Sequence, residues 1–233
     1  MKVIYDKYIE TTFDEELQAS FKILQFERNY RPFFPGERLA PVLDIGIGRG
    51  EMLTCMKKWG CEHYLGIDIS PSAVKHCETL GLTCLHVEDT VTWLAQSRAH
   101  WQVITLLDVL EHFPKSAIVD FLAAVHGALA QGGRLIVQVP NLQSPDGFLH
   151  RYNDLTHEVG FTEHSLRQVL TVAGFERVDF HGFEESFCSG IKERCRLLLR
   201  GLYRASVRFS RHVHGNLNPY LISPIMYAVA TKQ

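Results

Sequence analysis

The chain is 233 residues long with a formal net charge of −2, 46% hydrophobic and 21% charged residues. That composition suits a globular protein with one sizeable core and excludes a disordered or collagen-like chain. No apolar run approaches the roughly 18 residues of a membrane span, and the opening MKVIYDKYIETTFDEE has no signal-like apolar stretch, so a soluble, cytoplasmic protein is expected.

In chain order, residues 5–31 read as an amphipathic helix that stops at the turn signals Pro32 and Pro35-Gly36. Val42–Ile45 is a predicted strand, Glu51–Trp59 a helix closed by Gly60, and Tyr64–Ile67 the next strand. Ser70 as N-cap, Pro71 at the first helical position and Gly81 past the end bracket a helix, because each satisfies or avoids an orphan backbone group. Thr83–Val87 is a third strand, Thr90–Ser97 a short helix, and Val103–Leu107 a fourth strand of the kind buried on both faces. Pro114–Ala130 carries the 3.6-residue stripe Ile118, Phe121, Leu122, Val125 and Leu129, and Gly132-Gly133 stop it before a fifth strand at Arg134–Val139. A further helix, striped by Leu166, Val169, Leu170 and Ala173, ends at Gly174, and Phe175–Phe180 and Met226–Thr231 are the last strand candidates.

This alternation implies a doubly wound α/β fold, a mostly parallel sheet with helices on both faces. It reads as one domain: an N-terminal helical segment (1–38), a core (39–182), a basic helical insertion forming a small cap (183–218) and a last strand (219–233). Ligands of such sheets sit beyond the carboxyl ends of the strands, where the strand order reverses. The six cysteines form no CxxC pair and the twelve histidines no HxH or HExxH pattern, so reduced core thiols and no metal site are expected.

The first strand runs into Asp44-Ile45-Gly46-Ile47-Gly48-Arg49-Gly50-Glu51. Glycines at alternate positions allow a tight turn and close approach of a ligand to the backbone. The dinucleotide fingerprint would place a small residue three after its second glycine. Here that position is Glu51 or Leu53, and an acid in the first helical turn repels a pyrophosphate. At the end of the second strand Asp68 is placed for a ribose diol or for capping the next helix. After the third strand Asp89 either accepts an adenine amino group or caps the helix that follows.

VLDIGIGRGE, GIDIS, the VEDT turn and LLDVLEHF, in that order, resemble the class I methyltransferases that use S-adenosylmethionine (SAM), of the group whose fourth strand ends in DVLEH. The resemblance implies a seven-stranded Rossmann-like sheet with an antiparallel last strand. It also implies SAM contacts by Asp44, Gly46, Gly48 and Gly50 around the methionine part, by Asp68 with Ile69 on the ribose, by Asp89 with Thr90 near the adenine, and by Asp108 on the methionine side. The product left behind would be S-adenosylhomocysteine.

The loop Asn153–Thr162 offers His157 as a general base for a hydroxyl acceptor, with Asp154 or Glu158 near enough in sequence to orient it; bracing the loop is the alternative role. Glu111 and His112 are expected to open the helix after the fourth strand, with a structural or SAM-side role ahead of a catalytic one. Asn141 and a flexible stretch Gln143–Arg151 are expected at the acceptor mouth. DLTHEVGFTEHSLRQVLTVAGF is similar to methyltransferases of bacterial surface-polysaccharide synthesis, which implies a sugar or glycan hydroxyl as acceptor. Quinones, lipids and natural products are the rival acceptors, and a SAM-binding module without catalysis is a rival of another kind.

Between Phe187 and His212 seven basic residues against one acid give +6, leaving −8 for the remainder. Lys192, Arg196, Arg200, Arg204 and Arg208 recur every fourth residue, near one another on a helix and drifting slowly around it, while Ile191, Leu198, Leu199, Leu202 and Val207 supply an apolar side. A solvated cap helix, a cradle for an anionic glycan, and peripheral contact of residues 187–212 with the inner face of the membrane are the readings. Nucleic acid is not expected as a partner, because the rest of the chain is acidic. The oligomeric state leaves no signature.

Overall fold

Four consecutive buried residues, Val42–Ile45, make β1, as a strand covered on both faces requires. The computed structural model to which it belongs describes residues 16–97, 100–185, 190–215 and 221–233. Residues 5–15 of the expected first helix, Phe187 and Cys188, and the expected boundary at 218–219 lie outside the described residues.

The described chain runs α1 (Glu16–Tyr30), β1, α2 (Glu51–Lys58), β2 (Tyr64–Asp68), α3 (Pro71–Thr79), β3 (Cys84–His86), α4 (Thr90–Gln96), β4 (Trp101–Leu107), α5 (Ile118–Ala128), β5 (Leu129–Pro140), α6 (Gly147–Asn153), α7 (Glu163–Val172), β6 (Arg177–Gly182), α8 (Gly190–Val213) and β7 (Ile225–Thr231). The seven strands form one sheet in the order β3-β2-β1-β4-β5-β7-β6. The first five pair in parallel, while β7 runs antiparallel to both β5 and β6. The strand order reverses between β1 and β4, which opens a crevice at their carboxyl ends.

Two cores lie on opposite faces, because alternate residues of a strand point opposite ways. Leu43 and Ile45 of β1 pack with Phe121, Leu122 and Val125 of α5 and Leu166 and Leu170 of α7. Val42 packs with Phe26 and Tyr30 of α1, Met52, Leu53 and Met56 of α2, and Val74 and Cys77 of α3. Local signals fix the helix starts. Ser70 Oγ accepts from the Ala73 N–H at 3.3 Å, and Thr162 and Ser165 close a capping box on α7.

Four expectations shift. Glu111 and His112 do not open a helix. They sit in a 3-10 turn, Leu110–His112, followed by an extended Phe113, as the residue before Pro114 favours, and α5 begins only at Ile118. The fifth strand starts at Leu129, before the glycine pair; its register against β4 jumps from Trp101–Leu129 to Val103–Arg134, so the glycines form a bulge within the strand. The stretch Gln143–Arg151 runs into α6 (Gly147–Asn153), whose Phe148, Leu149 and Tyr152 are exposed, so no buried stripe announces it. Cys55, Cys77 and Cys84 are buried free thiols as expected, but Cys195 is exposed on α8.

Helix α8 departs furthest. No residue in it is buried, and its half-covered residues, Glu193, Arg196, Leu197, Arg200, Arg204, Val207 and Arg211, share one face. That face meets the domain: Arg196 donates to the Glu185 carbonyl at 2.6 Å, Arg204 to Ser223 Oγ at 2.8 Å, and Arg211 to the Gln143 carbonyl. The apolar side faces solvent, with Ile191 78% and Phe209 70% exposed and Leu198, Leu202 and Val213 also exposed. Among the described residues no helix is long and apolar enough to cross a membrane.

Candidate active site

The tips of β1, β2 and β4 open onto a cleft of about 720 Å³, within the size range of small-molecule sites. One end is lined by Gly46–Gly48, Asp68–Ser70 and Glu88–Val91; the other by Asp108, Glu111–Pro114, His150, Asn153, Asp154 and His157. Lys22 and Phe26 of α1 also line the cleft.

Asp44 is only 2% exposed at the end of an apolar strand. Burial pushes its carboxyl up to about 7, against the pull of a 2.5 Å hydrogen bond donated by Thr105 Oγ1. Such a group is poised to ionise against a cationic ligand. Asp68 ties two loops together: Oδ1 accepts from the Ser70 N–H at 2.7 Å and Oδ2 from the Gly48 N–H at 3.3 Å. Burial raises its pKa, with these backbone bonds opposing. A carboxylate has about four lone-pair sites, so capacity for a diol remains. With Glu51 beginning α2 and the carboxylates of the buried Asp44 and the partly buried Asp68 nearby, the cradle suits a phosphate-free nucleoside bearing a positive charge and disfavours a pyrophosphate.

The remaining candidates of this end divide. Gly46, at φ +80°, lines the cleft, and a Cβ there would fall 2.4 Å from Val109 Cγ2. Gly50 does not line it: its Cβ would strike Leu82 and Cys77, so its missing side chain serves the packing of α2 on α3. Ile69 and Thr90 are at the cleft wall. Asp89 lies there too but is engaged as the cap of α4, accepting from the Thr92 N–H at 3.1 Å and from Thr92 Oγ1 at 2.5 Å; these bonds hold its carboxyl below the usual range.

Asp108 has a left-handed backbone, φ +55°, unusual for a residue other than glycine and a form of strain often found at functional positions. Gln138 Nε2 donates to its Oδ2 at 2.8 Å, and the buried Tyr30 hydroxyl donates to Gln138 Oε1. The N-terminal helix is thereby wired to the β4 tip. Sequence reasoning missed this chain, although Gln138 stands out as a polar residue within the apolar run Leu135–Val139.

At the other end Glu111 is 1% exposed, and neither carboxylate oxygen has a hydrogen-bond partner among the described residues. Burial, reinforced by the charge of Asp108, raises its pKa well above the usual carboxylate value. His157 Nε2 lies 3.9 Å from Glu111 Oε1, and its buried Nδ1 lacks a partner. Of the expected orienting groups, Asp154 is near enough for its charge and that of His157 to act on each other. Glu158 takes part through its backbone, its N–H and that of Val159 donating to the Glu111 carbonyl. The Asp154 carboxylate accepts from the Thr156 N–H and hydroxyl at 2.8 and 2.6 Å, and Thr156 Oγ1 in turn meets His112 Nδ1 at 2.8 Å. Burial works to raise the Asp154 carboxyl, but the Thr156 bonds and the two histidines outweigh it and hold it below its usual range. Burial and the neighbouring His157 lower the His112 pKa. The two imidazole rings are 4.7 Å apart.

A family model described as a methyltransferase domain matches residues 14–179. No curated protein matches the chain in sequence. Solved structures share its fold at low identity. A SAM-dependent methyltransferase from Archaeoglobus fulgidus is 21% identical with a TM-score of 0.70, covering 100% of this chain and 99% of its own. A methyltransferase from Thermotoga maritima, described as a possible histamine N-methyltransferase, is 15% identical with a TM-score of 0.68, covering 99% of each chain. A plantazolicin methyltransferase complexed with a triazolic substrate analogue and S-adenosylhomocysteine is 16% identical with a TM-score of 0.57, covering 99% of this chain and 95% of its own.

Proposed function

We propose, from the premise that this chain belongs to the methyltransferase-domain family, that it methylates a hydroxyl group of a sugar or glycan. The family's donor, SAM, supplies an electrophilic methyl group on a sulfonium. Asp68 would hold its ribose, Asp44, Asp108 and the Gly46–Gly48 turn its charged amino-acid end, and Asp89 and Thr90 would border the adenine. The observation that carries the acceptor reading is the buried His157–Glu111 pair at the opposite end of one continuous cleft. A hydroxyl is a weak nucleophile until its proton has somewhere to go, and the His157 ring, facing an acid with no other partner, is the group that takes it. His112 is held by Thr156 and Asp154 and would position the acceptor. The likeness of the 154–175 segment to polysaccharide methyltransferases supports a sugar.

An apolar acceptor such as a quinone, lipid or natural product is the second reading, favoured by the exposed Phe148, Leu149, Tyr152 and Leu155 beside the cleft residues of α6 and its following loop. Release of S-adenosylhomocysteine, followed with nucleotide sugars and lipid-linked glycans in one set and quinols in another, separates the two. Turnover only with quinols would remove the sugar reading, and SAM binding without turnover on any acceptor would favour a binding module.

The outward apolar side of α8, flanked by Lys192, Arg194 and Arg208, supports peripheral contact with an anionic membrane. α8 is tied to the approach to α6 through Arg211–Gln143 and a 3.4 Å Tyr203–Asp146 hydrogen bond. A surface-bound helix there would bring the acceptor end of the cleft toward lipid-linked substrates.

A further inference from the structure

Glu111 presents a physical problem that methyl transfer alone does not resolve. A carboxylate buried without a hydrogen bond is strongly disfavoured unless it is protonated or meets a cation. The Glu111 side chain is aimed at two imidazoles, and one ligand atom from each of Glu111, His112 and His157 lies within 4.8 Å of the others. We propose that these three residues form a binding site for one divalent transition-metal ion, with Zn²⁺ as the reference ion, at the acceptor end of the cleft.

The chemistry of the donor set and its support both favour this. Two imidazoles and one carboxylate match zinc and its first-row neighbours, whereas magnesium and calcium prefer all-oxygen shells. Three protein donors leave a coordination position for a further ligand, and all three residues line the cleft. The support behind His112 is of the kind metal-bound histidines have. The Thr156 hydroxyl donates to Asp154 Oδ1 at 2.6 Å, so toward His112 Nδ1, at 2.8 Å, it acts as acceptor. That fixes the proton on Nδ1 and the lone pair on Nε2. Donors bound at about 2.0–2.1 Å in a tetrahedron lie roughly 3.4 Å apart, so His157 Nε2 and Glu111 Oε1, now 3.9 Å apart, would draw together as the ion enters. The Glu158 and Val159 N–H groups, at 2.8 and 3.1 Å from the Glu111 carbonyl, keep the His157 loop close enough for that movement.

The site goes beyond the acceptor reading and does not depend on it. An ion would occupy the lone pair with which His157 takes up a proton, so that role belongs to the ion-free chain.

The test uses full-length protein stripped with a chelator and dialysed, carrying Cys195→Ser so that the exposed thiol does not bind metal. Calorimetry with Zn²⁺ should show one saturable site per chain, and Co²⁺ should give the visible absorption of a low-coordinate nitrogen and oxygen site. Glu111→Gln and His157→Gln should each weaken Zn²⁺ binding at least tenfold, and Thr156→Val about 10–100-fold through His112. No saturable binding, or binding as tight in Glu111→Gln as in the parent, would overturn the site. SAM titration on the same samples keeps the outcomes separate: metal binding can fail while SAM binding and turnover persist, and the reverse failure leaves the metal site in place.

Discussion

The strand-tip cleft and helix α8 invert the usual arrangement of residues in opposite ways. The cleft buries charge, with Asp44 and Glu111 almost wholly removed from solvent. α8 turns Arg196, Arg200, Arg204 and Arg211 toward the domain and Ile191, Leu198, Leu199, Leu202 and Phe209 outward. Each inversion carries a cost, desolvation in one and exposed apolar area in the other, and each indicates what would remove that cost. Buried carboxylates are matched by a cation or a hydrogen-bond donor on a small ligand. An apolar helix face edged with cations would be matched by a lipid surface, as proposed for α8. The two regions can be probed separately, because the outward residues Leu202 and Phe209 of α8 do not line the cleft.

The largest expected effect lies in the cleft. His157→Gln should lower turnover about 10²–10³-fold, the usual scale for a lost proton acceptor, while SAM affinity stays within about threefold. Full turnover in the variant would remove His157 from the chemistry.

Asp44→Asn comes next and trades stability for binding. The folded carboxyl titrates at about 7 instead of 3.8, so the native state holds the extra proton and this group's contribution to stability falls as pH rises from about 4 to 7. A shift of about three units corresponds to about 4 kcal/mol at most. The variant should therefore denature later than the parent at pH 8, show little difference at pH 4, and bind SAM about tenfold more weakly. Equal denaturation midpoints at pH 8 would contradict the buried-charge account.

Tyr30→Phe should cost about 1–2 kcal/mol in chemical denaturation, because Gln138 Oε1 loses the Tyr30 hydroxyl as its donor. A neutral result would show that the Tyr30–Gln138–Asp108 chain does not hold the β4 tip. The smallest effect on the purified enzyme is expected from Leu202→Glu together with Phe209→Glu. Stability should move by no more than about 0.5 kcal/mol for each exposed change, and activity on a water-soluble acceptor should be unchanged. Co-sedimentation with anionic vesicles should fall sharply. Retained co-sedimentation would remove the membrane reading of α8 and leave the cleft untouched.

What could be read from the sequence was local. The glycine turn, the Ser70–Pro71 helix start and the strand-end Asp68 are each specified within a few residues, and the fold follows from their regular spacing. Glu111 and His157 are 46 positions apart and meet only because the loop after α6 folds back onto the turn after β4. Proximity in sequence pointed to Asp154, which interacts with His157 through charge and also braces Thr156, which meets His112. The four-residue recurrence in α8 does not keep to one side, since Arg196, Arg200 and Arg204 lie on the half-covered face while Lys192 and Arg208 are exposed, and periodicity carries no information about which side meets the domain. Thr105 and Gln138, polar residues within buried strands, were visible clues to the groups that hold Asp44 and Asp108.

The most direct test of the central claim is a calorimetric titration of the purified chain with SAM, run in parallel on Asp68→Ala. The account predicts one saturable site per chain, weakened about 10–100-fold in the variant as hydrogen bonds to a charged group are lost. A chain that takes up no SAM, or an Asp68→Ala variant that binds it as tightly as the parent, would contradict it.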